Sequence, residues 1–312
     1  MAENFFIIIG KQIFIVFLLM AVGYAGGKKK IISDDLADGM TGIVMNLSIP
    51  ASIVLAFQRE YEARLVREFI LSILLTAAGY ALFLTLSWLT IRDNDQKRQN
   101  TLRFSAVFAN CAMVGIPLQS AMFGADGVFC GAVAVAMFDL IFWPMGALTL
   151  SAGDRKSVMK RSLLNPCVIA NGIALVLFFG RITIPEVPKE ALSSLASMNL
   201  PLCMIVLGQK LTRKSLGQLF TDRGSLLAAA ERLIVFPLLM IVVMRLFHIH
   251  GTVAMSALIA MAAPSAASGV MLSVAYKQDS ELAASTVAMS TVLSLFTMPP
   301  MIVLGSALLL NG

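Results

Sequence analysis

The sequence predicts an all-α integral membrane protein, with ten transmembrane helices in two inverted five-helix repeats and broken helices at the fourth and ninth positions. Three observations carry that prediction. Of the 312 residues, 58% are hydrophobic and only 13% are charged, whereas soluble domains carry about 25% charge. Apolar runs long enough to cross a hydrocarbon core of about 30 Å follow one another from end to end. Short words recur half a chain apart, with prolines and glycines set into matching runs of the two halves.

The expected spans, in order, are 5–26, 35–57, 68–90, 101–123, 127–150, 162–180, 190–209, 225–247, 252–275 and 281–309. Polar breaks such as "GGKKKIISDD", "RDNDQKRQN", "SAGDRKSVMKR" and "GQKLTRKS" separate them. The first run ends in small residues as a signal peptide does. It is too long for one, lacks an A-x-A site, and nine more runs follow it. With Arg103 and Arg245 counted in the loops they border, sixteen of the 24 Lys and Arg belong to the odd-numbered loops and six to the even-numbered ones. Cytoplasmic loops carry the excess of Lys and Arg, which puts both termini outside. The expected location is therefore the inner (cytoplasmic) membrane, as a multi-pass protein. The net charge of +6 serves orientation, so the partner it implies is the lipid bilayer and not nucleic acid. Cys111, Cys130, Cys167 and Cys203 all sit in apolar runs without metal-ligand spacing. They read as small hydrophobes, and neither a metal nor a cofactor is expected.

The repeat is visible in two words. "MNLSIPASIVL" at 45–55 returns as "MNLPLCMIVLG" at 198–208, an offset of 153, and "VAM" at 135–137 returns at 287–289, an offset of 152. Five spans per half is an odd number, so the second half inserts in the opposite sense. The halves are expected at 1–150 and 162–312, joined by a cytoplasmic linker at 151–161. In corresponding helices the fourth span carries "NCAMVGIPLQS" (110–120) and the ninth carries "PSAASGVMLS" (264–273). Proline removes a backbone donor and glycine lets the chain unwind. Freed backbone groups at membrane depth persist only where protein or a water-filled cavity satisfies them. Paired broken helices in inverted halves point to a transporter's binding site. Ordinary kinks are the plainer reading, but they leave the intramembrane Asn110 unexplained. The expected substrate site is thus Asn110, Gly115, Pro117, Pro264, Ser265 and Ser268. The repeat-related Asn46 and Asn199 either line the same crevice or hydrogen-bond between helices.

Two of the charges inside spans are candidates for function. Asp139, in "VAMFDLIFWPM", falls near mid-bilayer, where a carboxylate costs on the order of 2.5–3.5 kcal/mol. It reads as a proton carrier, a cation ligand or a neutral, hydrogen-bonded structural acid. Arg232 either draws an anion into the inner vestibule or snorkels to the interface, paired with Asp222.

At these residues the chain resembles the auxin efflux carrier family, within the broader bile acid–sodium symporter-like fold. "ANCAMVGIPLQSAMFG" (109–124) is similar to the family's Asn-x-x-x-x-Gly-Ile-Pro-Leu signature, and "APSAASGVMLSVAYKQDSELAASTVAMS" (263–290) to its second crossover and following loop. The resemblance implies that helices 4 and 9 cross at their broken centres. It also implies that helices 1, 2, 6 and 7 form a panel moving against the core, that organic anions are carried, and that the protein pairs as a homodimer. Carried over, Asn110 is the crossover asparagine that meets a carboxylate, Gly115 and Pro117 shape the unwound stretch, and Pro264 is the proline of the second crossover. Two features depart from the family. Ala109 stands where plant members have proline, and the third span lacks their aspartate–lysine pair. The ninth span also lacks the acidic sodium ligand of bile acid symporters. Neither proton nor sodium coupling is therefore carried over, and both stay open.

The functional expectation is secondary active transport of a small organic anion, a mono- or dicarboxylate such as malonate or malate in the bacterial branch, by alternating access. An uncoupled, channel-like facilitator is the alternative. An ATP-driven pump would need a Walker signature, and none is present. An enzyme would need a nucleophile–base or metal constellation, and the two histidines, His248 and His250, both fall in an outer loop.

Overall fold

A computed structural model describes residues 2–59, 62–150, 164, 166–210, 212, 221–275 and 278–310. The expected linker at 151–161 lies outside the described residues. Among the described residues the protein is all helical, with no strand beyond one isolated antiparallel bridge, Ala109 to Ser265. Helix α1 is Ala2–Lys28, α2 Asp34–Ile43, α3 Ile49–Ala56, α4 Ala63–Thr90, α5 Gln96–Val107 and α6 Ile116–Leu150. In the second half α7 is Pro166–Phe179, α8 Glu186–Ser197, α9 Asn199–Lys210, α10 Arg223–Ala230, α11 Phe236–Leu246, α12 Gly251–Ala262, α13 Ser268–Ala275 and α14 Ser280–Leu309. Among the described residues six stretches are long and apolar enough to cross a membrane: 34–56, 63–90, 111–142, 186–209, 223–246 and 280–309. Helices α7 and α12 are apolar but shorter.

The ends of these helices follow local chemistry. The stretch "QKRQN", expected in a loop, opens α5 because the Asp95 side chain accepts from the Lys97 N–H at 2.9 Å, satisfying a donor of the first turn. Ser33, Asp222 and Asp279 cap α2, α10 and α14 in the same way. Within α6, Gly124 adopts φ +56° and ψ −138°, a conformation open to glycine, and there the helix kinks.

Among the described residues three single π-turns interrupt the α geometry, at Val44–Ser48, Cys111–Gly115 and Glu231–Val235. Each ends two residues before a proline: Pro50, Pro117 and Pro237. A proline in a helix lacks its N–H, and its ring clashes with the carbonyl four residues back. Widening the preceding turn relieves the clash. The N–H just before the proline then bonds five residues back: Ile49 to Val44, Ile116 to Cys111, Phe236 to Glu231. The same arrangement therefore recurs in three helices.

Packing sorts the helices into two groups. In one, α1 lies along α9, α2 packs on α9, and α3 packs on α7 and α8. In the other, α4, α5 and α6 pack with α10 to α14. Helix α6 supplies most of the contact between the groups, against α3 and α7.

Candidate functional site

The bundle is interrupted twice, and the interruptions touch. Helix α5 ends at Val107, and the chain runs extended through Phe108 and Ala109 before turning at Asn110. Helix α12 ends at Ala262, and α13 begins only at Ser268. The Asn110 N–H donates to Pro264 O at 2.7 Å and the Ala266 N–H donates to Phe108 O at 2.9 Å. Two half-helix N-termini and two half-helix C-termini thus meet around one short antiparallel pairing.

The backbone at the end of α5 is fully accounted for. The Phe104 carbonyl accepts from the Phe108 N–H at 3.0 Å. The Ser105 carbonyl accepts from Ser265 Oγ at 2.7 Å. Arg232 Nη1 donates to Val107 O at 2.6 Å and to Ala106 O at 3.4 Å. A helix C-terminus buried in a bilayer must find such partners, because water is not there to supply them. Arg232 is 0% exposed, and its guanidinium carbon lies 5.3 Å from the Phe83 ring and 5.7 Å from the Phe236 ring. It does not snorkel, and Asp222 pairs with Arg98 instead. Distance from a helix end suggested the interface; the neighbouring helices enclose the side chain.

The other site residues divide. Asn110 is partly buried; its Oδ1 accepts from the Met113 N–H at 3.4 Å and caps the π-turn that follows. Gly115 and Pro117 lie beyond the extended stretch, Gly115 inside the π-turn and Pro117 in the first turn of α6. The unwinding falls upstream of them, at 108–110, because pairing with 264–266 holds the chain extended there. Pro264 and Ser265 sit in the second interruption, and the Ser265 N–H donates to Ser290 Oγ at 3.1 Å. Ser268 is the first residue of α13. Asn46 and Asn199 are not joined to this cluster by hydrogen bonds. Asn46 Nδ2 donates to Gly42 O at 2.7 Å on an exposed face, and buried Asn199 accepts from Cys203 Sγ at 3.3 Å. Asp139 is 4% exposed on α6, flanked in sequence by Phe138 and Phe142. These two rings and those of Tyr80 and Phe104 surround Phe108 at centroid distances of 5.0–5.9 Å.

One buried polar residue beside the crossing escaped the sequence reading. Gln119, 0% exposed, donates from Nε2 to Ser256 O at 2.8 Å and ties α6 to α12. A methyl on Gly131 would sit 1.7 Å from Gln119 Oε1, so that glycine is where the amide fits. A glutamine two residues after a proline in an apolar run is the available signal.

A cavity of about 50 Å³ opens beside the crossing. Val114, Leu118 and Pro264 line one side, and Met20 of α1 with Met204 of α9 line the other, so it lies at the boundary of the two helix groups. Thr291 and Ser294 are its hydroxyl-bearing residues. Among the described residues no group of His, Cys, Asp and Glu could hold a metal ion.

Residues 8–302 match the model of a family described as membrane transport protein. The chain is 26% identical over 293 residues to an uncharacterized transporter of Methanocaldococcus jannaschii, covering 91% of this chain and 94% of that one. It is 25% identical over 291 residues to an uncharacterized transporter of Methanothermobacter thermautotrophicus, with the same coverage of each. A match spanning nearly the whole chain, on an all-helical body with paired interruptions, identifies the protein as a member of the membrane transport protein family, the auxin efflux carrier-like transporters.

Proposed function

We propose that this chain is a secondary active transporter of a small organic anion, working by alternating access in the inner membrane with the substrate held beside the crossing of the two broken helices. The observation that carries the reading is the pairing itself: the segments that lead into two half-helix N-termini, at Cys111 and Ser268, hydrogen-bond to each other. Each carries the partial positive charge of a helix N-terminus, which suits a carboxylate. Asn110 Oδ1 is taken up in capping, and its Nδ2 donors are available to the anion. The adjoining cavity is mostly apolar, which favours a monocarboxylate with a small apolar body over malonate or malate.

The architecture behind this reading is ten spans in two inverted halves with both termini outside. Phe83 and Phe236, 153 residues apart, stack at 4.1 Å with 7° between their planes. Residues related by the same offset as the repeated words meet when an axis runs between the halves. The two helix groups are then a panel and a core, and the cavity lies where they slide. Asp139, buried in the core beside the crossing, carries the coupling proton.

Reconstitution into proteoliposomes tests the reading. Mono- and dicarboxylates should exchange in counterflow, and a monocarboxylate should accumulate against its gradient when an inward proton gradient is imposed. Asn110→Ala should lower counterflow by on the order of tenfold or more while leaving melting near wild type. Asp139→Asn should abolish gradient-driven accumulation and spare counterflow. Uptake that never exceeds equilibrium would instead mark a facilitator.

A further inference from the structure

The four half-helix ends at the crossing are not neutralised alike. Unwound carbonyls and half-helix C-termini carry partial negative charge, and in transporters with discontinuous helices they coordinate the coupling cation. Here the carbonyls of Ala106 and Val107, at the C-terminus of α5, are already taken by Arg232 Nη1. The guanidinium is wholly buried, lies against two aromatic rings, and forms no salt bridge among the described residues. Nε and Nη2 are buried as well and find no acceptor among the described residues. Among the described residues its positive charge thus meets the helix end, with no carboxylate in ion-pair contact. An arginine stays charged under all ordinary conditions.

We propose that Arg232 is a resident cation of the crossing: its guanidinium fills the place, and satisfies the carbonyls, that a sodium ion would otherwise take, so the transport cycle needs no sodium. The proposal rests on reading the crossing as the substrate site, and it deepens that reading by assigning the charge balance there. A resident cation does not leave with the substrate. The α5 end is therefore neutral in every state of the cycle, and net charge movement follows the substrate and the proton alone.

The purified protein in lipid nanodiscs provides the test. Wild type should melt at the same temperature in sodium chloride and in choline chloride of equal ionic strength. Arg232→Ala should melt lower. Millimolar methylguanidinium should raise its melting selectively, because a ligand that binds only the folded state stabilises it by mass action. Sodium should give a smaller rise, and tetramethylammonium none. Arg232→Lys should recover most of the wild-type melting in choline chloride. A packing residue without this role would give no cation-selective rescue. A sodium-dependent rise in wild type, an Arg232→Met variant that melts as wild type does, or a lysine variant no better than methionine overturns the proposal. Should Arg232→Ala not fold, the wild-type comparison and the lysine and methionine variants decide the matter by themselves. None of these readouts uses the transported anion, so failure to find organic-anion transport is a separate outcome.

Discussion

The two interruptions hydrogen-bond to each other, yet they are completed by different chemistry. At the first, a buried arginine covers two carbonyls of the α5 end and a serine hydroxyl covers a third. At the second, among the described residues, the partner of the Ser265 N–H is the Ser290 hydroxyl, and Pro264 supplies no N–H at all. One crossing strand is therefore fixed by a permanent charge, the other by neutral hydroxyls. Hydroxyls can exchange partners at small cost, whereas a buried guanidinium that loses its acceptors is left with an uncompensated charge. The contrast assigns rigidity to the first strand and adaptability to the second, and each prediction below bears on it.

The largest effect is expected at the arginine. Arg232→Met keeps much of the side-chain volume but strips two buried carbonyls of their donor. Each unsatisfied group costs about 1–3 kcal/mol. Unfolding of the variant in detergent should show a loss of about 2–5 kcal/mol. Ser265→Ala comes next. It leaves the Ser105 carbonyl without its 2.7 Å donor at a position 0% exposed, and should cost about 1–2 kcal/mol in the same assay. Equal costs for the two variants would remove the distinction between charged and neutral completion.

Much of this was legible in the sequence, for reasons that also explain what was not. Hydropathy reads burial in lipid directly, so the apolar runs fall on helices among the described residues, but the polar first turns of α4, α5 and α8 were assigned to loops and the expected break at 124–126 lies inside α6. The two breaks were visible as proline and glycine inside apolar runs, but Gly115 and Pro117 pointed a few residues too far along. Proline acts on its own helix: at positions 50, 117 and 237 it widens the preceding turn and the helix continues. The extended stretch at 108–110 is set by hydrogen bonds to residues more than 150 positions away, which no local signal reports. Arg232 was misread for the same reason, since depth along one helix says nothing about the neighbours that enclose it. Phe83 and Phe236, spaced like the repeated words, were the available hint that these helices meet.

The smallest effect is expected where the clamp reaches water. Helices α5 and α10 are tied again at their other ends, where Arg98 pairs with Asp222, the residue that caps α10 by accepting from the Ser225 N–H at 2.7 Å. Burial alone would raise this carboxyl, but the bonds from Ser225 and the charge and hydrogen bond of Arg98 outweigh it and hold it below the usual carboxylate range. The sign of the pH dependence follows. A depressed carboxyl contributes its full stabilisation above the unfolded value of about 3.9 and loses it as pH falls through the lower folded value. The side chain is 29% exposed, so solvent screening limits the contribution to less than about 1 kcal/mol. Asp222→Asn can still cap the helix but cannot titrate. Between pH 6 and pH 3, wild type should lose slightly more stability than this variant, and raised salt should shrink the difference. The Arg232 contacts involve no titrating partner and lie out of reach of salt, so the Arg232→Met loss should keep its size across the same pH and salt range. A loss that faded in high salt would mean the buried end of the clamp is wet, and the contrast between the two strands would then rest on solvent access alone.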